Sequence, residues 1–352
     1  MSVVFNLLKS DLFRLVRGKS LWVCLAILLL VSVVGTGLLS FVSSPEFAHM
    51  VNTAAEMSVE NSTATIPLND KADAWEALGA SSEADARKAL DASREASETA
   101  ADTPADAILS AVDDGDAAVL TSEEVALLND RQFSSFTYSV AQTLLTGGFL
   151  GMLSSIVFGL ACAADFSSGF AKTLLASKGR RRTYYAEKLV LGSIVAGIFT
   201  LAGALITGAC FGFAGFSYET AESVGDVTLW LALAWLTLTA YNLVVGAVAW
   251  GTRSTSATVT CAVLVSSTIA ESLVTQLIGF LSVALKPLAL LPNFFLANNI
   301  GLLGGGSEKL LAASASLPIP ALTPASWVLL ICLLYIIVLG AIALTLCKRK
   351  DI

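Results

Sequence analysis

Few side chains in this sequence of 352 residues could do chemistry. There is one histidine, His49, which is too few for a histidine metal cluster and poorly placed for a Ser–His pair. The cysteines Cys24, Cys162, Cys210, Cys261, Cys332 and Cys347 lie inside or at the end of apolar runs, without a C-x-x-C spacing, and read as small core residues. The glycine run "GLLGGGSEK" superficially matches a phosphate loop. A Walker A sequence needs Lys and then Ser or Thr directly after its last glycine, and Ser307 and Glu308 stand there. No catalytic residue, metal site or bound cofactor is expected on this chain, and no nucleic-acid partner. Two features remain: Glu271, the single carboxylate deep in an apolar run, and the basic stretch "DFSSGFAKTLLASKGRRRTYYAEKL" from Asp165 to Leu189.

The elements that carry them belong to a membrane protein. Apolar residues make up 55% of the chain and charged residues 14%, against roughly 45–50% and 25% in soluble domains. Six apolar runs are long enough to cross the hydrocarbon core as helices: Leu21–Ser43, Val140–Ala164, Leu189–Phe213, Thr228–Trp250, Ala257–Leu281 and Ser326–Cys347. None alternates as a barrel strand would. The first run exceeds a secretory h-region and lacks an A-x-A-like site, so it reads as an anchor. The expected fold is all-α and polytopic, with six transmembrane helices.

Charge sets the expected orientation. With both termini cytoplasmic, fourteen Lys and Arg fall inside and seven outside, as the positive-inside rule requires. Between Ser44 and Tyr138 the chain has nineteen carboxylates against five basic groups. This extracellular region, 44–138, is rich in Ala, Glu, Asp and Ser, which suits marginal helix or partial disorder. Trp22, Tyr184, Tyr185 and Trp250 are expected at the inner membrane boundary, and Tyr138, Tyr218, Trp230 and Trp327 at the outer one.

Ahead of the first span, residues 1–20 place Phe5, Leu8, Leu12, Leu15 and Val16 on one helical face. They suit either an amphipathic helix in the inner interface or a basic flank that orients the span. Before the last span, the apolar segment 284–325 is broken by Pro287, Pro292 and Gly304–Gly306. It suits a re-entrant segment or a loop on the outer surface. Glu271 is expected to face the bundle interior, where Ser267 and Thr275 share its helical face, either as a substrate-path residue or as a structural hydrogen bond.

In the loop 165–188, Asp165 suits a helix start and Gly179 a left-handed helix end. Phe166, Phe170 and Leu174 recur at spacing four between them, and Arg180, Arg181 and Arg182 follow. Anionic headgroups would account for the arginines, but not for an amphipathic helix presenting phenylalanines ahead of them. That stripe suits a protein partner.

This stretch resembles the loop between the second and third spans of permease subunits of type-2 ATP-binding-cassette (ABC) exporters. The resemblance is carried by Asp165, Gly169, Lys172, Leu174 with Leu175, Arg181 or Arg182, Tyr185 and Lys188, and by the tail "LCKRKDI". The order of six spans, amphipathic start and broken segment before the last span is similar too. The resemblance implies that the loop helix docks on a separate cytoplasmic ATPase subunit, through Asp165, Phe166, Gly169, Phe170, Lys172, Leu174, Arg181 and Arg182. ATP and Mg would be bound by that subunit. It further implies a second permease copy or homologue, a lipid surround and the plasma membrane of a bacterium. The acidic region is larger than in simple members. A sensor or scaffold displaying that region is the alternative.

Overall fold

In the computed structural model the described residues are 2–42, 132–133, 135–170, 178–218, 221–267, 269–282, 286–311, 317–318 and 322–349. Most of the acidic region, Lys172 and Leu174 lie outside them, as do the side chains of Arg180 and Arg181. The chain divides into two units, Met1–Thr36 with Phe133–Ile352, and Gly37–Gln132. The first holds everything discussed below.

Helix α1 (Ser2–Arg17) ends at Gly18, whose amide bonds back to the carbonyls of Arg14 and Leu15. Helix α2 (Lys19–Val42) follows. A short helix α3 (Phe136–Val140), capped by the Ser135 hydroxyl, runs into a π-turn at Ala141–Leu145. Next come α4 (Phe149–Ser167), α5 (Lys178–Phe213) and α6 (Val224–Thr252). Ser223 caps α6 with Asp226 in its first turn, and Arg253 ends it in the left-handed conformation at φ 54°. Helices α7 (Thr255–Ser266) and α8 (Ile269–Ser282) lead to a 3₁₀ segment, Lys286–Phe294. The chain closes with α9 (Leu296–Gly304), α10 (Gly306–Leu311) and α11 (Pro324–Arg349).

Five helices are long and apolar enough to span a membrane, or six if the bent pair α7–α8 is one span. The protein is therefore a helical polytopic membrane protein. Its outward surface agrees, with Leu205, Ile337, Leu30 and Leu273 all more than half exposed. So much uncovered apolar surface belongs against lipid.

Two of the six expected runs are not continuous. The second breaks at Gly147–Gly148, so its spanning helix is α4, beginning at Phe149. The fifth breaks after Ser266, and its halves diverge by 59°. The breaks meet. A Cβ on Gly148 (φ +66°) would lie 1.8 Å from the Ser266 carbonyl oxygen, so only glycine allows this approach. Hydropathy alone cannot see either break, because the interrupting residues are themselves small and apolar or weakly polar.

Packing relies on small residues, as expected where lipid removes the hydrophobic drive between helices. Phe158 of α4 is fully buried in a socket whose floor is Gly192 of α5 and Gly246 of α6. Beside it, Asn242 of α6 is a polar hub. Its Oδ1 accepts from Ser154 (3.1 Å) and Ser155 (3.2 Å), and its Nδ2 donates to the Gly192 carbonyl at 2.8 Å. Ser266 extends the hub to α7 by donating to Ser155 at 3.4 Å.

Within the segment 284–325, the described residues form a 3₁₀ segment and two short helices, α9 and α10. Leu296, Ile300 and Leu303 of α9 and Leu310 of α10 are buried in the core, and Trp230 donates to the Leu303 carbonyl at 2.9 Å. Most of the expected boundary aromatics also turn inward. Tyr184, Tyr185 and Trp250 form an edge-to-face stack with centroids 5.5 and 5.1 Å apart. Trp230 and Trp327 are 1% exposed, and Trp22 alone of the tryptophans among these is largely open.

Candidate functional site

Helix α1 presents Leu8, Leu15 and Asp11 to the bundle, while Phe5, Phe13 and Val16 point away. The expected apolar stripe is thus split, and an acid sits in the middle of its buried side. Asp11 is 7% exposed and pairs with Lys188, at the start of the third spanning helix. Lys188, 1% exposed, also pairs with Asp165 at 2.7 Å and lies 3.7 Å from Glu187. Arg14 reaches the other Asp165 oxygen at 3.2 Å and Asp11 at 3.6 Å. The Tyr184 hydroxyl donates to Asp165 at 3.2 Å. Three carboxylates and two cations from α1, α4 and α5 are therefore drawn into one cluster, buried except for the Arg14 side chain, which is 46% exposed.

Charges are buried at this cost only when each finds partners in good geometry. Here a helix outside the bundle is pinned to the ends of two spanning helices. Displacing α1 drags α4 and α5 with it, or breaks the cluster. Among the described residues no three His, Cys, Asp or Glu are placed to hold a metal ion.

The cluster changes the reading of the loop 165–188. Asp165 does not start a helix; it lies in the last turn of α4, 2% exposed. Gly169 takes the left-handed conformation at φ +75° and ends that helix instead. Gly179 is not a terminator, because α5 begins at Lys178. Phe166 is half-buried against the core, and Arg14 lies over the Phe170 ring at 5.6 Å. Arg182 is exposed. Lys172 and Leu174 are outside the described residues.

Glu271 stands in the first turn of α8, half-buried. Its carboxylate accepts from the Ala297 amide, at the start of α9. No side chain of α9 itself caps that end, so Glu271 serves from another element, where the helix dipole favours negative charge. Ser267 does not serve Glu271; its hydroxyl donates to the Leu264 carbonyl at 3.4 Å.

A polar clasp closes the opposite end of the bundle. The Glu222 carboxylate accepts from the Thr137 amide at 2.9 Å and from the hydroxyls of Thr137 and Ser307. The Ser307 amide donates to Thr137 Oγ1 at 2.8 Å. The start of α3, the segment before α6 and the start of α10 are thereby joined. Burial pushes the nearby Tyr218 phenol above its ordinary range; the Glu222 charge reinforces the shift and a hydrogen bond with Ser139 opposes it.

Sequence reasoning missed Asp11, Asn242 and Glu222. Two of them carried a signal. Asp11 is the lone acid among the first twenty residues, on the Leu8–Leu15 face, and Asn242 is the lone amide in its apolar run. Glu222 had none, because its partners come from segments 85 residues away on either side.

No protein-family model matches the sequence, and no curated protein matches it either.

Proposed function

We propose that this chain is the membrane-spanning permease subunit of an ATP-driven ABC exporter, working with a separate cytoplasmic ATPase subunit. The observation that carries this reading is the buried ion cluster joining α1 to the ends of α4 and α5. A protein that only displays an ectodomain needs anchors, and apolar helices supply them. A machine driven from outside itself needs a stiff joint where force enters. The cluster joins the two spans that flank the loop whose sequence resembles the ATPase-docking loop of type-2 permeases.

In this reading the basic end faces the cytoplasm of a bacterial cell, and Gly169, Phe170, Lys172, Leu174, Arg181 and Arg182 offer the contact to the ATPase. Asp165 and Phe166 hold the loop to the bundle rather than touching the partner. ATP and Mg are handled by the ATPase. Two copies, or this chain and a homologous permease, form the path, with Glu271 beside it. The facing breaks at Gly148 and Ser266 give the bundle a place to flex, since interrupted spans in membrane transporters gather at the path.

The test is co-purification of the tagged full chain from its native membrane in mild detergent. The wild type is expected to bring down a subunit with vanadate-sensitive ATP hydrolysis. Phe170→Asp combined with Arg182→Glu should lose it while the chain stays folded. Phe166→Asp is a poor probe, because it would set a charge against the core. Absence of ATPase activity from both preparations refutes the proposal.

A further inference from the structure

Two buried polar atoms on one side of the bundle have no hydrogen-bond partner, the Tyr241 hydroxyl and the Asn299 amide oxygen, and both residues are 0% exposed. The two groups belong to one neighbourhood. Thr237 and Tyr241 lie one turn apart on α6, and Cys332 and Tyr335 lie one turn apart on α11. Thr237 Oγ1 is 3.3 Å from Cys332 Sγ, and Asn299 Nδ2 donates to the same sulfur at 3.5 Å. Glu271 accepts from the Ala297 amide, two residues before Asn299 on the same helix. The ring of Tyr241 also rests against Gly151, beside the point where the two helix breaks meet.

A buried polar atom left unpaired forfeits its hydration with nothing in return. Among the described residues Thr36 Oγ1, Glu187 Oε1 and Trp250 Nε1 are buried without a partner too, but only here do two such atoms come from elements that meet at one shared group, Cys332 Sγ. Orphans on two facing elements, near a half-buried carboxyl group, mark a place where something else supplies the missing hydrogen bonds. Its chemistry follows from the groups. Glu271, the Asn299 oxygen and the tyrosine oxygens accept hydrogen bonds, one of the acceptors is anionic, and two aromatic rings stand alongside. Such a set suits a cation that carries N–H donors and some apolar surface. Glu271 being half-buried leaves an approach for it.

We propose that Glu271, Tyr241, Asn299 and Tyr335 form a binding site for an organic ammonium ion. That this ion is cargo rests on the exporter reading; that it binds does not.

The test is calorimetric titration of the full chain in nanodiscs of zwitterionic lipid. The probe is benzylammonium chloride, with benzyl alcohol as its neutral isostere and sodium chloride at matched ionic strength. Benzylammonium is expected to bind saturably, and the other two are not. Glu271→Gln keeps an acceptor for the Ala297 amide but removes the charge, and should weaken binding by about tenfold or more. Tyr241→Phe, which deletes only the orphan hydroxyl, should weaken it by a smaller factor while leaving the fold intact. No saturable heat, or equal affinity in wild type and both variants, overturns the proposal. So does the pattern expected if water alone fills the place: a more stable Tyr241→Phe chain and no response to the cation. If the cation binds but no ATPase co-purifies, the site stands and the exporter reading falls. If the ATPase co-purifies and the cation does not bind, the reverse holds.

Discussion

Replacing Lys188 by Met would test whether the ion cluster holds α1 to the bundle. The side chains of Lys188 and Asp165 are 1% and 2% exposed, and that of Asp11 is 8% exposed. Removing Lys188 leaves the two buried acids sharing a single cation, the half-exposed Arg14. Breaking a buried ion pair costs about 3–5 kcal/mol. Some compensation survives here, since Arg14 still reaches Asp165 at 3.2 Å and Asp11 at 3.6 Å, and Tyr184 still donates to Asp165. The lower end, about 3 kcal/mol, is therefore expected. For a domain of this size that corresponds to a fall in melting temperature of about 6–12 °C. The assay is thermal unfolding in one fixed detergent, followed by tryptophan fluorescence. Trp250 is a suitable reporter, because it stacks on Tyr185 at 5.1 Å, next to the cluster. Arg182→Met, at an exposed position on the same helix, should stay within about 0.5 kcal/mol of wild type. Adding Asp165→Asn to Lys188→Met should recover part of the loss, since it removes one of two buried acids left with only Arg14 between them. A Lys188→Met chain that melts within about 2 °C of wild type, or a double variant as unstable as the two single losses summed, would refute the reasoning.

Other positions give independent checks. Gly148→Ala should abolish monodisperse purification, because its Cβ would meet the Ser266 carbonyl at 1.8 Å and its φ is +66°, whereas Gly147→Ala, with open space around it, should purify like wild type. Asn242→Leu leaves the Ser154 hydroxyl without its partner, at about 1–3 kcal/mol, while Ser155 keeps its bond from Ser266. Adding Ser154→Ala should then raise the melting temperature above that of Asn242→Leu alone. Glu222→Ala frees the Thr137 amide and the Ser307 hydroxyl, so hydrogen exchange should accelerate at the start of α3 and α10 and remain unchanged in α5.

Composition and periodicity determined the class of this protein: with so little charge and runs of about twenty apolar residues, only a helical bundle in lipid satisfies the backbone. They also located two of the long helices to within a few residues, with Thr228–Trp250 inside α6 and Ser326–Cys347 inside α11. The loop 165–188 stood out by its charges, and the segment before the last span by its prolines and glycines. Where those features point was not legible. Asp165 has the residue type of a helix cap and the environment of a buried ion pair, because Lys188 and Arg14 reach it from 23 residues ahead and 151 behind in sequence. Gly148 and Ser266 look like ordinary small residues in apolar runs until the two helices are set side by side. Glu271 was legible as an intramembrane acid, but its cap on α9 and its neighbours Tyr241 and Tyr335 lie on other helices. Hydropathy is a property of one segment and survives in the sequence; partnership is a property of two, and only folding brings the second into reach.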